Sequence, residues 1–260
     1  MKRSPRAIPH LFEHWQTIER RISAKKRVVL FLDFDGTLAA TALRPNRVRV
    51  KPAIRDALRG LARHRRAIVA VVSGRQRAEL KRYLAIPNLN HLGLYGWERN
   101  GNETIAPAVR VALFRARILL LKELSAFPGV WIEPKGSSLS IHLLNAKRSV
   151  QRRARLAVRN LLHRFSGTLQ LFENLRDMEV APSHMPDKGA AVRELLGQPG
   201  QRGALPFFFG DDLSDEPAFA AVRDGVSVLV GKPRSTRATF RLRNPDEVAI
   251  ALHKIKEALG

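Results

Sequence analysis

Residues 28–35, VVLFLDFD, constrain the fold more than any other stretch. Five apolar residues without a polar break, Val28 to Leu32, read as a short strand buried on both faces. The run AIVAVVSGR (67–75) is a second buried strand ending in Ser-Gly, and LPFFFGDD and GVSVLVG are two more. Segments with helical periodicity separate them: AIRDALRGLARH, with Pro52 near its start, then RQRAELKRYL, DKGAAVRELL and DEPAFAAV. LNHLGLYGWERNGN adds a short strand and a Gly-Asn turn. A β-α-β-α-β order implies an α/β protein, a doubly wound parallel sheet of Rossmann-like type with helices on both faces. HLFEHWQTIERRI spaces Leu11, Trp15, Ile18 and Ile22 at helical intervals and predicts a short helix packed on that core.

The rhythm changes in the middle of the chain. A helix fits 108–126, GVWIEPKGSSLSIHLLN reads as a hairpin, 147–166 as a basic helix, and TLQLFENLRDMEVAP as two further short strands. This is a small α+β unit inserted into the α/β pattern. The expected division is a core of 1–106 and 182–260 and an inserted unit of 107–181.

Charge and composition narrow the function. The net charge is +23 and the pI about 11.5, so a polyanionic partner is a natural candidate. The basic residues are spread along the chain, however, and no zinc-finger, basic-zipper or RNA-recognition pattern accompanies them. Small phosphorylated substrates are favoured over a specific nucleic acid. There is no cysteine, which excludes disulfides, thiolate catalysis and cysteine-ligated zinc. No apolar run reaches membrane-spanning length and no secretory pattern is evident, so a cytoplasmic location away from membranes is expected. No long heptad or obvious interface stripe marks an oligomer, and a monomer is expected.

In a parallel α/β sheet, ligands bind beyond the carboxyl ends of the strands. Four polar clusters fall there or at helix starts: Asp33 and Asp35 with Thr37; Ser73, Gly74 and Arg75; Lys188; and Asp211, Asp212 and Asp215. Each alone is ordinary turn or cap chemistry. Together, two acidic clusters at strand ends match a hard, oxygen-liganded cation such as Mg²⁺, while a hydroxyl and a lysine serve a phosphate. Phosphoryl transfer needs that combination, and a carboxylate can be its nucleophile.

DFDGT, SGR, the lysine and GDDLSDE, in that order, resemble the four motifs of the haloacid dehalogenase superfamily of phosphatases. The resemblance implies that Asp33 is the nucleophile and Asp35 the general acid/base. It implies that Ser73 and Lys188 hold the phosphoryl group, with Thr37, Gly74 and Arg75 on the substrate side. Asp33, the Asp35 carbonyl and Asp211 would bind Mg²⁺, supported by Asp212 and Asp215. The inserted unit corresponds to a cap domain that closes over the core.

A finer resemblance is to the trehalose-6-phosphate phosphatase family. DGTLAATALRPNRVRVKP, GLYGWERNG, GVWIEPKGSSLSIHLLN and MEVAPSHMPDKGAAVREL carry it. It implies Mg²⁺-dependent hydrolysis of trehalose 6-phosphate, with Glu133, Lys135 and Glu179 on the hydroxyls of the distal glucose and His142 supporting them. Independently, Glu133 and Lys135 are two apart and share a face of a strand. The sequence departs from the family pattern at Tyr95 (usually His), Trp97 (usually Ala), Leu143-Leu144 (often Tyr-Arg) and Ser214 (usually Thr). Those departures bear on the sugar more than on the phosphatase chemistry. Alternative readings are a phosphatase of another sugar phosphate (sucrose phosphate, or a glucosyl- or mannosyl-phosphoglycerate), a sugar phosphomutase, and a basic polyanion-binding protein on a phosphatase scaffold.

Overall fold

The computed structural model describes residues 8–42, 48–101 and 103–260. Residues 1–7, 43–47 and 102 lie outside it, and with them part of the motif stretch DGTLAATALRPNRVRVKP. The chain divides into two compact units, Met1–Gly101 with Pro186–Gly260, and Asn102–Met185.

The first unit is built on a wholly parallel sheet: β1 (Val28–Leu32), β2 (Ala67–Val72), β3 (Asn90–Leu92), β8 (Leu205–Gly210), β9 (Val226–Val230) and β10 (Phe240–Leu242), in the order β10-β9-β8-β1-β2-β3. β1 lies in the middle with all five residues buried. Its side chains alternate between two apolar layers, as strand pleating requires. Val28, Leu30 and Leu32 join α1 (Trp15–Ser23), α2 (Pro52–Arg63), α3 (Arg77–Tyr83) and α8 (Pro245–Leu259), through residues such as Ile22, Leu58, Leu80 and Leu252. Val29 and Phe31 join α6 (Lys188–Gly197) and α7 (Glu216–Ala221), through Val192, Leu195 and Phe219. Each such side chain contributes about 1.5–3 kcal/mol on burial, so the apolar run fixes β1 at the centre of both layers.

The expected N-terminal helix is present, with Leu11, Ile18 and Ile22 buried against the core. Two boundaries differ from the reading. The second strand ends at Val72, and α3 begins at Arg77, so Ser73 to Gln76 form the turn between them. β10 and α8 close the sheet edge and one apolar layer beyond the last element expected from the sequence. In α8 the Asn244 side chain accepts from the N–H groups of Asp246 and Glu247, capping its N-terminus.

The second unit is a four-stranded antiparallel sheet, β4 (Trp131–Pro134), β5 (Leu139–His142), β6 (Leu169–Glu173) and β7 (Asp177–Pro182), ordered β4-β5-β7-β6. It is accompanied by α4 (Pro107–Leu124) and α5 (Arg148–Leu162), as the hairpin-helix-hairpin pattern predicted. Leu139, Ile141, Met178 and Val180 form the buried apolar face of the sheet. The register places Glu133, Ser140 and Glu179 directly opposite one another on the other face. No helix among the described residues is long and apolar enough to cross a membrane.

Candidate active site

Asp33 follows β1 directly, and its N–H donates to the Phe209 carbonyl of the neighbouring β8. β8 itself runs into Asp211 and Asp215. The parallel register therefore brings the ends of two buried strands, each followed by carboxylates, side by side. Among the described residues, Asp33, Asp211 and Asp215 each offer an oxygen within 4.8 Å of the others, and all three are buried. Gly36, at φ +92°, lets the chain turn away from β1, and a Cβ there would lie 2.0 Å from Asp211 Oδ2.

Lys188, the first residue of α6, reaches this cluster. Its Nζ donates to Asp33 Oδ1 at 2.6 Å and to Asp215 Oδ1 at 2.7 Å, and its side chain is 3 % exposed. Asp187 caps the helix below it by accepting from the Ala190 N–H. The other Asp215 oxygen accepts from the N–H groups of Asp211 and Asp212, so Asp215 organises the turn as well as the lysine. Burial pushes Asp33 up to about 7; Lys188 pulls it down, while Asp215 and Asp35 add to the rise. Burial opposes the Lys188 ammonium, but Asp215 and Asp33 outweigh it and hold it far above the usual lysine range. One ammonium among three carboxylates leaves excess negative charge, which suits a hard divalent cation.

Asp35 points to a different partner. Arg75 grips it with both arms, Nε to Oδ2 at 2.6 Å and Nη2 to Oδ1 at 2.8 Å, and also holds Glu79. The guanidinium lies 5.2 Å from the Phe34 ring centre and 5.4 Å from that of Tyr83. Ser73 is buried, and its hydroxyl accepts from the Arg75 N–H. The turn is pinned from the next loop: Leu94 N–H donates to the Arg75 carbonyl and Tyr95 N–H to the Ser73 carbonyl. Leu94 and Tyr95 adopt φ of +45° and +61°, a conformation costing about 1–3 kcal/mol each that this pinning sustains.

The polar face of the second unit carries its own cluster. Lys135 Nζ donates to Glu179 Oε2 at 3.1 Å, and the Ser138 hydroxyl donates to the other Glu179 oxygen. His142 Nε2 lies 2.8 Å from Glu133 Oε2, and the His142 ring stacks on Trp131 at 3.8 Å between centres. Burial works against the Lys135 charge, but Glu179 and Asp177 outweigh it and raise its pKa.

A model of the trehalose-phosphatase family matches residues 31–246. The chain belongs to this family. It is 28% identical to a trehalose 6-phosphate phosphatase of Zea mays, over 90% of this chain and 71% of that protein. The C-terminal domain of C. albicans trehalose-6-phosphate phosphatase superposes with a TM-score of 0.84 at 18% identity, covering 96% of this chain and 98% of that one. A haloacid dehalogenase-like hydrolase from Bacteroides thetaiotaomicron superposes at 0.61 with 17% identity, over 88% of this chain and 100% of that one, so the haloacid dehalogenase-type fold expected from the four motifs is present. As a trehalose-phosphatase family member, the chain is a hydrolase, a phosphatase of phosphoric monoesters.

Within this family frame, the sequence-predicted residues fall into groups. Asp33, Lys188, Asp211 and Asp215 meet in one buried cluster. Asp212 stands outside that trio, and its carboxylate accepts from the Leu213 N–H, the cap role that Gly-Asp-Asp also allows. Arg75, expected on the substrate side at a helix start, lies in the preceding turn with its guanidinium on Asp35 and Glu79. Thr37 is fully buried, and its hydroxyl has no hydrogen-bond partner among the described residues. Glu133, Lys135, His142 and Glu179 gather on one sheet face. Ser138 and Trp131, which complete that face, were missed; their place in the hairpin next to Lys135 and opposite His142 was the available signal. The Arg75–Asp35 clamp was also missed, because nothing in an SGR motif says which carboxylate the arginine meets. A cavity of about 710 Å³ bordered by Arg77, Lys81, His91 and Leu195 contains none of the predicted site residues.

Proposed function

We propose that the chain hydrolyses trehalose 6-phosphate to trehalose and inorganic phosphate, with Mg²⁺, through an aspartyl-phosphate on Asp33. The observation that carries this reading is the Lys188 ammonium shared between Asp33 and Asp215 at the ends of β1 and β8. It fixes the Asp33 carboxylate beside a cation at the place where ligands bind parallel sheets. The chemistry of the donor set fits Mg²⁺: buried carboxylates in excess over the one ammonium, and no nitrogen or sulfur donor among them. Asp33, Asp211 and the Asp35 carbonyl would hold the ion, which supplies charge neutralisation for the phosphoryl oxygens.

An Asp33 oxygen attacks phosphorus, and the bond from phosphorus to the sugar oxygen breaks. Asp35 gives its proton to that leaving oxygen, so the sugar departs as a neutral alcohol. Asp35 then takes a proton from water as the water oxygen attacks phosphorus, releasing phosphate and restoring Asp33. Both Asp35 oxygens accept from Arg75, so Asp35 must leave this clamp to carry the proton. Lys188 offsets charge at Asp33 throughout, and the unpartnered Thr37 hydroxyl is available to a phosphoryl oxygen. In the second unit, Glu133, Lys135 and Glu179 are suited to sugar hydroxyls, which need charged acceptors and donors rather than apolar surface.

Phosphate release with Mg²⁺ tests this reading, with trehalose 6-phosphate beside glucose 6-phosphate, sucrose 6-phosphate and 4-nitrophenyl phosphate. A strong preference for trehalose 6-phosphate, lost in Asp33→Asn with the fold intact, is expected. Preference for another sugar phosphate overturns the substrate, and full activity of Asp33→Asn overturns the nucleophile.

A further inference from the structure

α4 is apolar on two faces. Leu113, Ala116, Leu120 and Leu124 are buried within the second unit. Val111, Phe114, Ile118 and Leu121 are instead 52, 61, 52 and 50 % exposed. Their spacing is three, four, three, the a and d positions of a heptad, which places all four on one stripe. Single exposed apolar residues are ordinary, but an aligned row of aliphatic and aromatic side chains on one helix is not.

The flanking positions say what fits the stripe. Counting Val111 as a and Phe114 as d, the positions flanking the stripe from 110 to 122 are Arg110 and Arg117 at g and Arg115 and Lys122 at e, and the next g position, Leu124, is buried. Each of the four flanks from 110 to 122 is a cation, and none of these four has an ion-pair partner among the described residues. The e and g charges of a helical seam select its partner. A second copy of α4 would set cation against cation in either orientation. A membrane-surface helix presents a broad apolar face, whereas here the cations confine the apolar residues to a narrow seam. The seam runs over 111–121, about 15 Å at the helical rise, long enough for roughly three turns of a facing helix.

We propose that the exposed face of α4 docks an acidic amphipathic helix of another protein, with apolar residues in its a and d positions and Asp or Glu in e and g. The recognition is helix on helix: side chains interdigitate along the seam, and carboxylates pair with Arg110, Arg115, Arg117 and Lys122. The rim pairs set partner choice and salt dependence, and Phe114 and Ile118 supply the buried contact.

The test is fluorescence anisotropy of a labelled three-heptad peptide with Leu at a and d and Glu at e and g, titrated with the full chain. A peptide with Lys at e and g is the control. The expected result is saturable binding of the acidic peptide only, weakening as salt rises. Phe114→Glu with Ile118→Glu should weaken it about tenfold or more, the equivalent of about 1.4 kcal/mol. Arg110→Glu with Arg117→Glu should move preference toward the Lys peptide. Phosphate release and circular dichroism of each variant should match the parent, which separates this surface from the catalytic reading. Equal binding of both peptides, binding indifferent to these substitutions, or no binding overturns the proposal. So does stripe-dependent self-association in sedimentation, or stripe-dependent binding to phosphatidylserine vesicles without peptide binding.

Discussion

Gly36→Ala tests whether the carboxylate cluster works as a unit. Gly36 has φ +92°, and alanine in a left-handed conformation costs about 1–2 kcal/mol. For a chain of this size, that lowers the melting temperature by about 2–4 °C per kcal/mol. The larger effect is local. The new methyl carbon would sit 2.0 Å from Asp211 Oδ2, where real contacts hardly ever fall below 3.0 Å, so the carboxylate must retreat by an ångström or more. Displacement of a reacting group on that scale costs about 10²-fold in rate. Gly203→Ala is the control, since Gly203 has φ +75° and nothing within 4 Å of its Cβ position. Both variants should lose a similar amount of stability by thermal melting. Only Gly36→Ala should lose phosphate release, with added Mg²⁺ failing to restore the parent rate. Equal kcat/KM in the two variants would refute the idea that Asp211 must stay beside Asp33.

The other predictions concern the charges. Asp35→Asn should slow sugar phosphate hydrolysis by about 10²–10⁴-fold, and a 4-nitrophenyl ester by less, since that leaving group needs no proton; equal losses on both would remove the general-acid role. In metal-free protein Asp33 is pushed up from 3.8 to about 7, so its contribution favours the folded state at low pH and is lost as pH rises through about 7. The parent should therefore lose up to about 4 kcal/mol relative to Asp33→Asn between pH 4 and 8 without metal, read by denaturant melts; parallel curves would refute the burial argument. Chelation should abolish turnover, and Mg²⁺ should restore it; undiminished turnover in chelator would exclude the metal. Glu179→Gln, which can still accept from the Ser138 hydroxyl, should reduce hydrolysis of trehalose 6-phosphate about tenfold or more but spare 4-nitrophenyl phosphate, and a uniform loss would argue against sugar recognition.

The core of this fold was legible because its physics is local. A run such as Val28–Leu32 has no polar break, is short and rich in β-branched and aromatic residues, and so reads as a strand covered on both faces. The alternation of such runs with 3.6-period helices implies the parallel sheet. β10 and α8 were not read from the sequence: Phe240–Leu242 is short, with only its last residue buried, and is fixed by pairing with β9. The start of α3 moved from Arg75 to Arg77 because Asp35 draws the Arg75 side chain away across the fold and Glu98 accepts from the Arg77 N–H, two tertiary hydrogen bonds.

The sequence by itself determined the chemical inventory: paired carboxylates after two buried strands, a lysine opening a helix, and an acidic and basic pair two apart on a strand. Residue types and spacings are properties of the chain, and so are the conformations they favour. Partners are not. Lys188 meets Asp33 across 155 positions, where the packing of α6 on the sheet decides the contact, and Glu179 meets Lys135 across 44, where sheet register decides who is opposite whom. Tertiary structure alone separated Asp215, which organises the lysine and the turn, from Asp212, which caps it. It also gave Asp35 to Arg75 and left one side of α4 exposed. The charge pairings follow from packing that excludes water, because a buried charge must take whichever opposite charge the fold brings within reach.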